Sequence, residues 1–315
     1  MVAIALLVLG ISGLWIGTKL AVGGAARIAQ RFRISQAVIG LTILAIGTDL
    51  PELIVAISAG VDKLDGADTS GIAIGNAVGS AVTQITLVLG LAGLTGALAV
   101  ARRDLVRAGV ATVAAVAFAF IVVSDGSVTR VEGGLLLLGY AAYLGWLLTA
   151  ERTDDEPGAE ELTRPWWLDT ILIVAGLAVV VVGAEFVVSN GVELAERWGV
   201  DQTLVAVLVI ALGTSLPEMA VSLRAAVAGK AGLSIGNIAG SNIFDLMVPV
   251  GTAAVIAGLK VERAVTFFDL SFLLAVSLVA LFSVGSGNRL GRREAAVMIG
   301  SYALYVALRS GAEAL

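Results

Sequence analysis

Gly213-Thr214-Ser215-Leu216-Pro217-Glu218 lies inside an otherwise apolar run, Leu204 to Ala228, long enough to cross a bilayer. Pro217 has no backbone N–H, and its ring crowds the carbonyl of Gly213 four residues back. Glu218 is costly in hydrocarbon, by ~3 kcal/mol or more. A segment that tolerates both does not face lipid. A broken helix lining an ion path reconciles them, with freed carbonyls and a carboxylate as oxygen ligands. The same word recurs earlier as Gly47-Thr48-Asp49-Leu50-Pro51-Glu52.

The rest of the chain is organised around that duplication. Of its 315 residues, 58% are hydrophobic and only 14% charged. Mean hydropathy is +0.97. Such a composition specifies an all-α polytopic membrane protein. There is no cysteine and no histidine. That excludes disulfides, thiolate or imidazole metal sites and a histidine proton relay. Hard cations held by oxygen remain possible. The first apolar stretch lacks a basic leading region and a small-residue cleavage pattern, so it is expected to stay as the first helix. Nothing suggests a nucleic-acid partner; the lipid bilayer is the expected surrounding.

Ten spans of roughly 20 residues can be placed. They cover about 2–22, 36–60, 70–98, 105–123, 131–150, 167–190, 202–228, 232–258, 265–285 and 293–311. Basic residues collect in alternate loops: Arg27, Arg31 and Arg33; Arg102, Arg103 and Arg107; Arg224 and Lys230; Arg289, Arg292 and Arg293. The positive-inside rule puts these loops in the cytoplasm. Both termini are then extracellular and the membrane is the plasma membrane. The stretch 151–166 is acidic, carries Pro157 and Gly158, and reads as a cytoplasmic linker.

Shifting the chain by 166 residues lays Ile34–Glu52 over Val200–Glu218, with seven of 19 positions identical. A shift of 161 lays Gly75-Asn76-Ala77-Val78-Gly79-Ser80 over Gly236-Asn237-Ile238-Ala239-Gly240-Ser241. Each half, 1–150 and 167–315, holds five spans. An odd number makes the second half enter the membrane from the opposite side. The expected architecture is ten transmembrane helices in two inverted five-helix repeats, with a binding site at their interface.

At helical spacing Thr48 shares a face with Glu52, Thr214 with Glu218, Ser80 with Gln84 and Ser241 with Asp245. The converging groups are carboxylates, hydroxyls, an amide and carbonyls, an all-oxygen set that suits Ca²⁺ or Na⁺. Gly75, Gly79, Gly236 and Gly240 have the small-xxx-small spacing that lets helices approach.

Together GTSLPE and GNIAGSNIFD resemble the sodium/calcium exchangers of the calcium/cation antiporter superfamily, across essentially the whole chain. The resemblance implies alternating access, with Na⁺ moving against Ca²⁺ at a central site and no cofactor. It implies that Glu52 and Glu218 are the shared carboxylates. Ser80, Ser241, Asp245 and the carbonyls near Thr48 and Thr214 complete the site. Ser215, Asp49 and Gln84 occupy neighbouring motif positions and are counted with them. The chain is expected to act as a monomer.

The first motif departs from the family pattern. Asp49 stands where serine is usual, Ala81 opposite Asn242, and Gln84 opposite Asp245 where asparagine is common. Asp49 lies three residues before Glu52, so the two charges need relief from an extra cation, a proton or Lys19. Lys19 aligns with Glu185; it either snorkels to the interface or approaches Asp49. Na⁺/Ca²⁺ exchange leads. H⁺/Ca²⁺ exchange through Asp49 or Asp245 is the near alternative, and a Ca²⁺ channel a distant one. No nucleophile–base pair is present, so an enzyme is not expected.

Overall fold

The computed structural model describes residues 2–96, 98–149, 164–197, 213–287 and 289–313. Its helices are α1 (Val2–Phe32), α2 (Gln36–Thr48), α3 (Leu50–Leu64), α4 (Ser70–Leu94), α5 (Arg102–Val123) and α6 (Arg130–Thr149). They continue with α7 (Trp166–Arg197), α8 (Leu216–Val227), α9 (Ala231–Ala257), α10 (Leu270–Gly287) and α11 (Arg292–Glu313). Wide π turns interrupt α2 at Gly40–Leu44 and α4 at Gln84–Val88, and a third, Val265–Asp269, leads into α10. Among the described residues six helices are long and apolar enough to cross a membrane, seven if the bent pair α2 and α3 is one span. The chain is therefore a multi-pass helical membrane protein. α6 and α11 fall below that apolar standard. The expected span 202–228 is described only from Gly213, and the expected linker only from Arg164.

The proline words break the helix, one or two residues before the ring. α2 and α3 meet at 48°. The residue at the break is Asp49, with φ −85° and ψ 6°; its counterpart before α8 is Ser215, with φ −87° and ψ 8°. Pro51 and Pro217 then sit in the first turn of α3 and α8, where a missing N–H removes no helical bond. Glu52 and Glu218 occupy the same first turns, at the positive end of each helix dipole.

Burial sorts the helices. α9 and α4 are 83% and 78% buried along their apolar windows, whereas α1 and α7 are 22% and 33% buried. The first two build the core around the site; the second two form an outer pair. α1 and α7 touch backbone to backbone. A methyl on Gly17 would lie 2.6 Å from the Gly176 carbonyl oxygen, and one on Gly10 2.7 Å from that of Gly183. Arg27 of α1 donates to Asp169 of α7 at 2.6 Å, tying one end of the pair.

Two short antiparallel strand pairs cross between the halves. β1 (Leu98–Ala99) pairs with β4 (Arg289–Leu290), and β2 (Ser127–Val128) with β3 (Leu259–Lys260). The start of β3 lies 161 residues after that of β1, the shift that aligns the second motif. Each half thus lends one strand to each pair, as a two-fold relation requires.

Candidate ion-binding site

α9 crosses α2 closely because a glycine from one helix or the other stands at each contact. A methyl on Gly236 would stand 2.3 Å from the Ala37 carbonyl oxygen, one on Gly240 2.7 Å from Leu41 Cα, and one on Gly40 2.7 Å from the Leu233 carbonyl oxygen. That contact sets Ser241 and Asp245 of α9 against the α2–α3 break. The expected small-residue packing therefore holds for Gly236 and Gly240. Among the described residues nothing lies within 4 Å of a methyl built on Gly75 or Gly79.

The site is dry. Thr48, Asp49, Glu52, Gln84, Ser215, Glu218, Ser241 and Asp245 have no exposed surface, and Ser80 has almost none; Thr214 is half-buried. Asp49 has Glu218, Ser241 and Thr48 as polar neighbours, and Ser80 stands beside Glu52. Asp49 also acts electrostatically on Glu52, Glu218 and Asp245. The two breaks and the two second-motif helices thus converge, bringing the acidic and hydroxyl candidates together.

The expectation that Thr48 shares an unbroken face with Glu52 does not hold, because the chain bends between them; the same break separates Thr214 from Glu218. The Thr48 hydroxyl donates back to the Leu44 carbonyl at 3.1 Å, which leaves its oxygen lone pairs free to accept. Lys19 does not approach Asp49. It is exposed, on the side of α1 away from the glycine face that meets α7. Glu185, its sequence counterpart, is exposed as well.

One hydrogen-bonded chain links the halves. The Asn242 amide donates to Gln84 Oε1 at 3.1 Å, and Gln84 Nε2 donates to Asp245 Oδ2 at 3.1 Å. Gln84 therefore positions Asp245 and takes Asn242 as its own donor. Its place is the first residue of the π turn, which turns the side chain inward. Among the described residues the remaining oxygens have no hydrogen-bond partner. They include both oxygens of Asp49, Glu52 and Glu218, Oδ1 of Asp245 and of Asn242, and the hydroxyls of Ser80, Ser215 and Ser241. Unpaired carboxylates do not persist in a low-dielectric interior without a counter-charge. Among the described residues no three acidic side chains alone close into a metal cage. A cation here therefore needs the hydroxyls and backbone carbonyls too.

Tyr140 of α6 was not legible beforehand. Its hydroxyl is buried without a partner, and the side chain feels Asp49 and Asp245. No spacing in α6 singles it out. Asn242 is not among the expected ligands either, but its place in the duplicated motif opposite Ala81 is a signal that could have found it.

The family described as sodium/calcium exchanger protein matches residues 2–149 and 168–311. Uncharacterized membrane protein MJ0091 of Methanocaldococcus jannaschii is 31% identical over 304 residues, covering 96% of this chain and 97% of that one. Sodium/calcium exchanger MaX1 of Methanosarcina acetivorans is 28% identical over 342 residues, covering 96% of each. A solved structure of the sodium-calcium exchanger NCX_Mj superposes with a TM-score of 0.84 at 30% identity, covering 98% of each chain. The family's members are transporters, not enzymes, with ions as cargo and no cofactor. On the matched length, the converging motifs and the shared fold, the chain belongs to the sodium/calcium exchanger family.

Proposed function

We propose that this protein exchanges Ca²⁺ for Na⁺ across the plasma membrane by alternating access at the buried carboxylate site. The observation that carries the reading is the set of orphaned oxygens on Asp49, Glu52, Glu218, Asp245, Ser80, Ser215 and Ser241. Glu52 and Glu218 are the carboxylates shared by both ions. Asp245, held by Gln84, adds a third. Ser80, Ser215, Ser241 and the backbone around Thr48 and Thr214 supply neutral ligands. Calcium takes six to eight oxygens, so carboxylates that bind through one oxygen each leave the other places to hydroxyls and carbonyls.

The architecture we propose is ten transmembrane helices in two inverted repeats, 1–150 and 167–315, joined by a cytoplasmic linker at 151–166. Matching dihedrals at the two breaks and the crosswise strand pairs support it. The termini lie outside, as the basic loops require, and the site is at the bilayer midplane. One chain supplies every candidate ligand, which supports a monomer.

Asp49 favours a second reading, H⁺/Ca²⁺ exchange, because it adds a carboxylate where Ser215 stands in the other half. The test is ⁴⁵Ca²⁺ uptake into proteoliposomes under an imposed Na⁺ gradient and then an imposed pH gradient. Uptake driven by Na⁺ alone supports the first reading. Uptake driven by the pH gradient alone replaces it with the second. Ca²⁺ flux that needs neither gradient defeats both.

A further inference from the structure

A second set of orphaned polar atoms lies outside the carboxylate site. One turn beyond Glu218 on α8 is Ser222, and one turn before Ser241 on α9 is Asn237. The Asn237 amide donates to Ser222 Oγ at 3.0 Å and reaches toward the Glu218 carbonyl oxygen at 3.5 Å. Among the described residues Asn237 Oδ1 has no partner. Ser234, three residues earlier and on the same face of α9, has an unpartnered hydroxyl. None of the three side chains has any exposed surface. The backbone N–H of Ser234 donates to the carbonyl of Lys230, so the column ends one turn from the α8–α9 loop.

The other half has nothing of this kind. At the aligned positions Ser222 is replaced by Ala56 and Ser234 by Ala73, both buried; only Asn76 is kept, opposite Asn237, and it is half-buried. The polar column therefore runs from the site toward one end of the molecule only. Buried acceptors without partners are rare, and two on one helix face call for an occupant.

We propose that Ser222, Ser234 and Asn237 form a transit site for a partly dehydrated Na⁺ between the carboxylate site and the Lys230 end. It rests on the exchanger reading above, in which that end is cytoplasmic. Every ligand in the column is neutral: an amide oxygen and two hydroxyls. The cost of stripping water from an ion rises with the square of its charge. A neutral set can hold a monovalent ion and leaves Ca²⁺ under-compensated. The column thus sets the Na⁺ dependence at one face without taking part in Ca²⁺ binding.

Ser222→Ala and Ser234→Ala, singly and together, remove oxygens and leave the tie from Asn237 to the Glu218 carbonyl in place. Na⁺ is titrated on each side in turn, in right-side-out and inside-out vesicles, with ⁴⁵Ca²⁺ flux as readout. The double variant should raise half-saturating Na⁺ on the Lys230 side about five- to tenfold, the scale of one or two lost polar contacts. Half-saturating Na⁺ on the far side, and half-saturating Ca²⁺ on either side, should stay within about twofold. Equal changes on both sides, or an equal loss in Ca²⁺ affinity, would assign these residues to supporting Glu218. No change at all would leave only water in the column. Either result overturns the proposal. If wild type shows no Na⁺-driven Ca²⁺ flux, the exchanger reading fails separately. Protection by NaCl against thermal unfolding, over a KCl control at matched ionic strength, then decides the site: it must be weaker in the double variant, and equal protection rejects it.

Discussion

Asp49→Ser puts into the first half the residue that the second half carries at Ser215. Asp49 is fully buried and acts on Glu52, Glu218 and Asp245 together. At roughly 5 Å and an effective dielectric of ~20, each carboxylate pair repels by about 3 kcal/mol. Three such pairs make about 10 kcal/mol, which a folded chain of ordinary stability does not carry uncompensated. Lys19 is too far round α1 to help. On the proposed exchange reading, the site with Asp49 should load about one more positive charge than the site without it. We expect the variant to fold, to keep Ca²⁺ binding, and to show a Na⁺ dependence less steep by about one unit of Hill coefficient. The reversal potential of exchange should shift accordingly. The assay is ⁴⁵Ca²⁺ flux against Na⁺ at clamped potential, repeated from pH 5 to pH 8. If a proton supplies the charge instead, wild-type flux varies over that range and the variant's varies less; with no histidine in the chain the change falls to the carboxylates. Coincident curves for wild type and variant in both titrations would refute the reasoning and place Asp49 outside the transport site.

Glu52→Gln and Glu218→Gln should each fold and lose Ca²⁺ exchange, with a larger loss of affinity for Ca²⁺ than for Na⁺, since attraction to each carboxylate doubles with ion charge; near-normal flux in either would remove that residue from the site. Arg27→Met leaves the nearly buried Asp169 without its partner and should cost about 3–5 kcal/mol; thermal unfolding in detergent should show the loss, and Arg27→Met with Asp169→Leu should restore much of it. Asp65→Cys should react with an impermeant thiol reagent from outside and Gly158→Cys only from inside, on a background with no native cysteine; the reverse pattern would overturn the orientation.

Much of the candidate site follows from local chemistry and was readable in the chain. Pro51 and Pro217 favour a helix start just before them, because ring sterics and a missing donor depend on a few neighbouring residues. Glu52 and Glu218 beside them are too costly for lipid, so they mark an interior polar site. The repeat of both words fixes how the halves correspond, since identity at a constant shift needs no coordinates. Packing at a distance lay beyond it. The meeting of Gly40 with Gly236 and of Leu41 with Gly240 joins residues about 200 apart, and no local pattern states which helix face meets which. The chain Asn242–Gln84–Asp245 needs both second-motif helices in contact, and Tyr140 enters only because α6 packs against α9. Lys19 shows the limit most clearly. Its alignment with Glu185 suggested a partner for Asp49, but the direction a side chain takes around α1 is set by the glycine seam with α7, which only the tertiary structure decides.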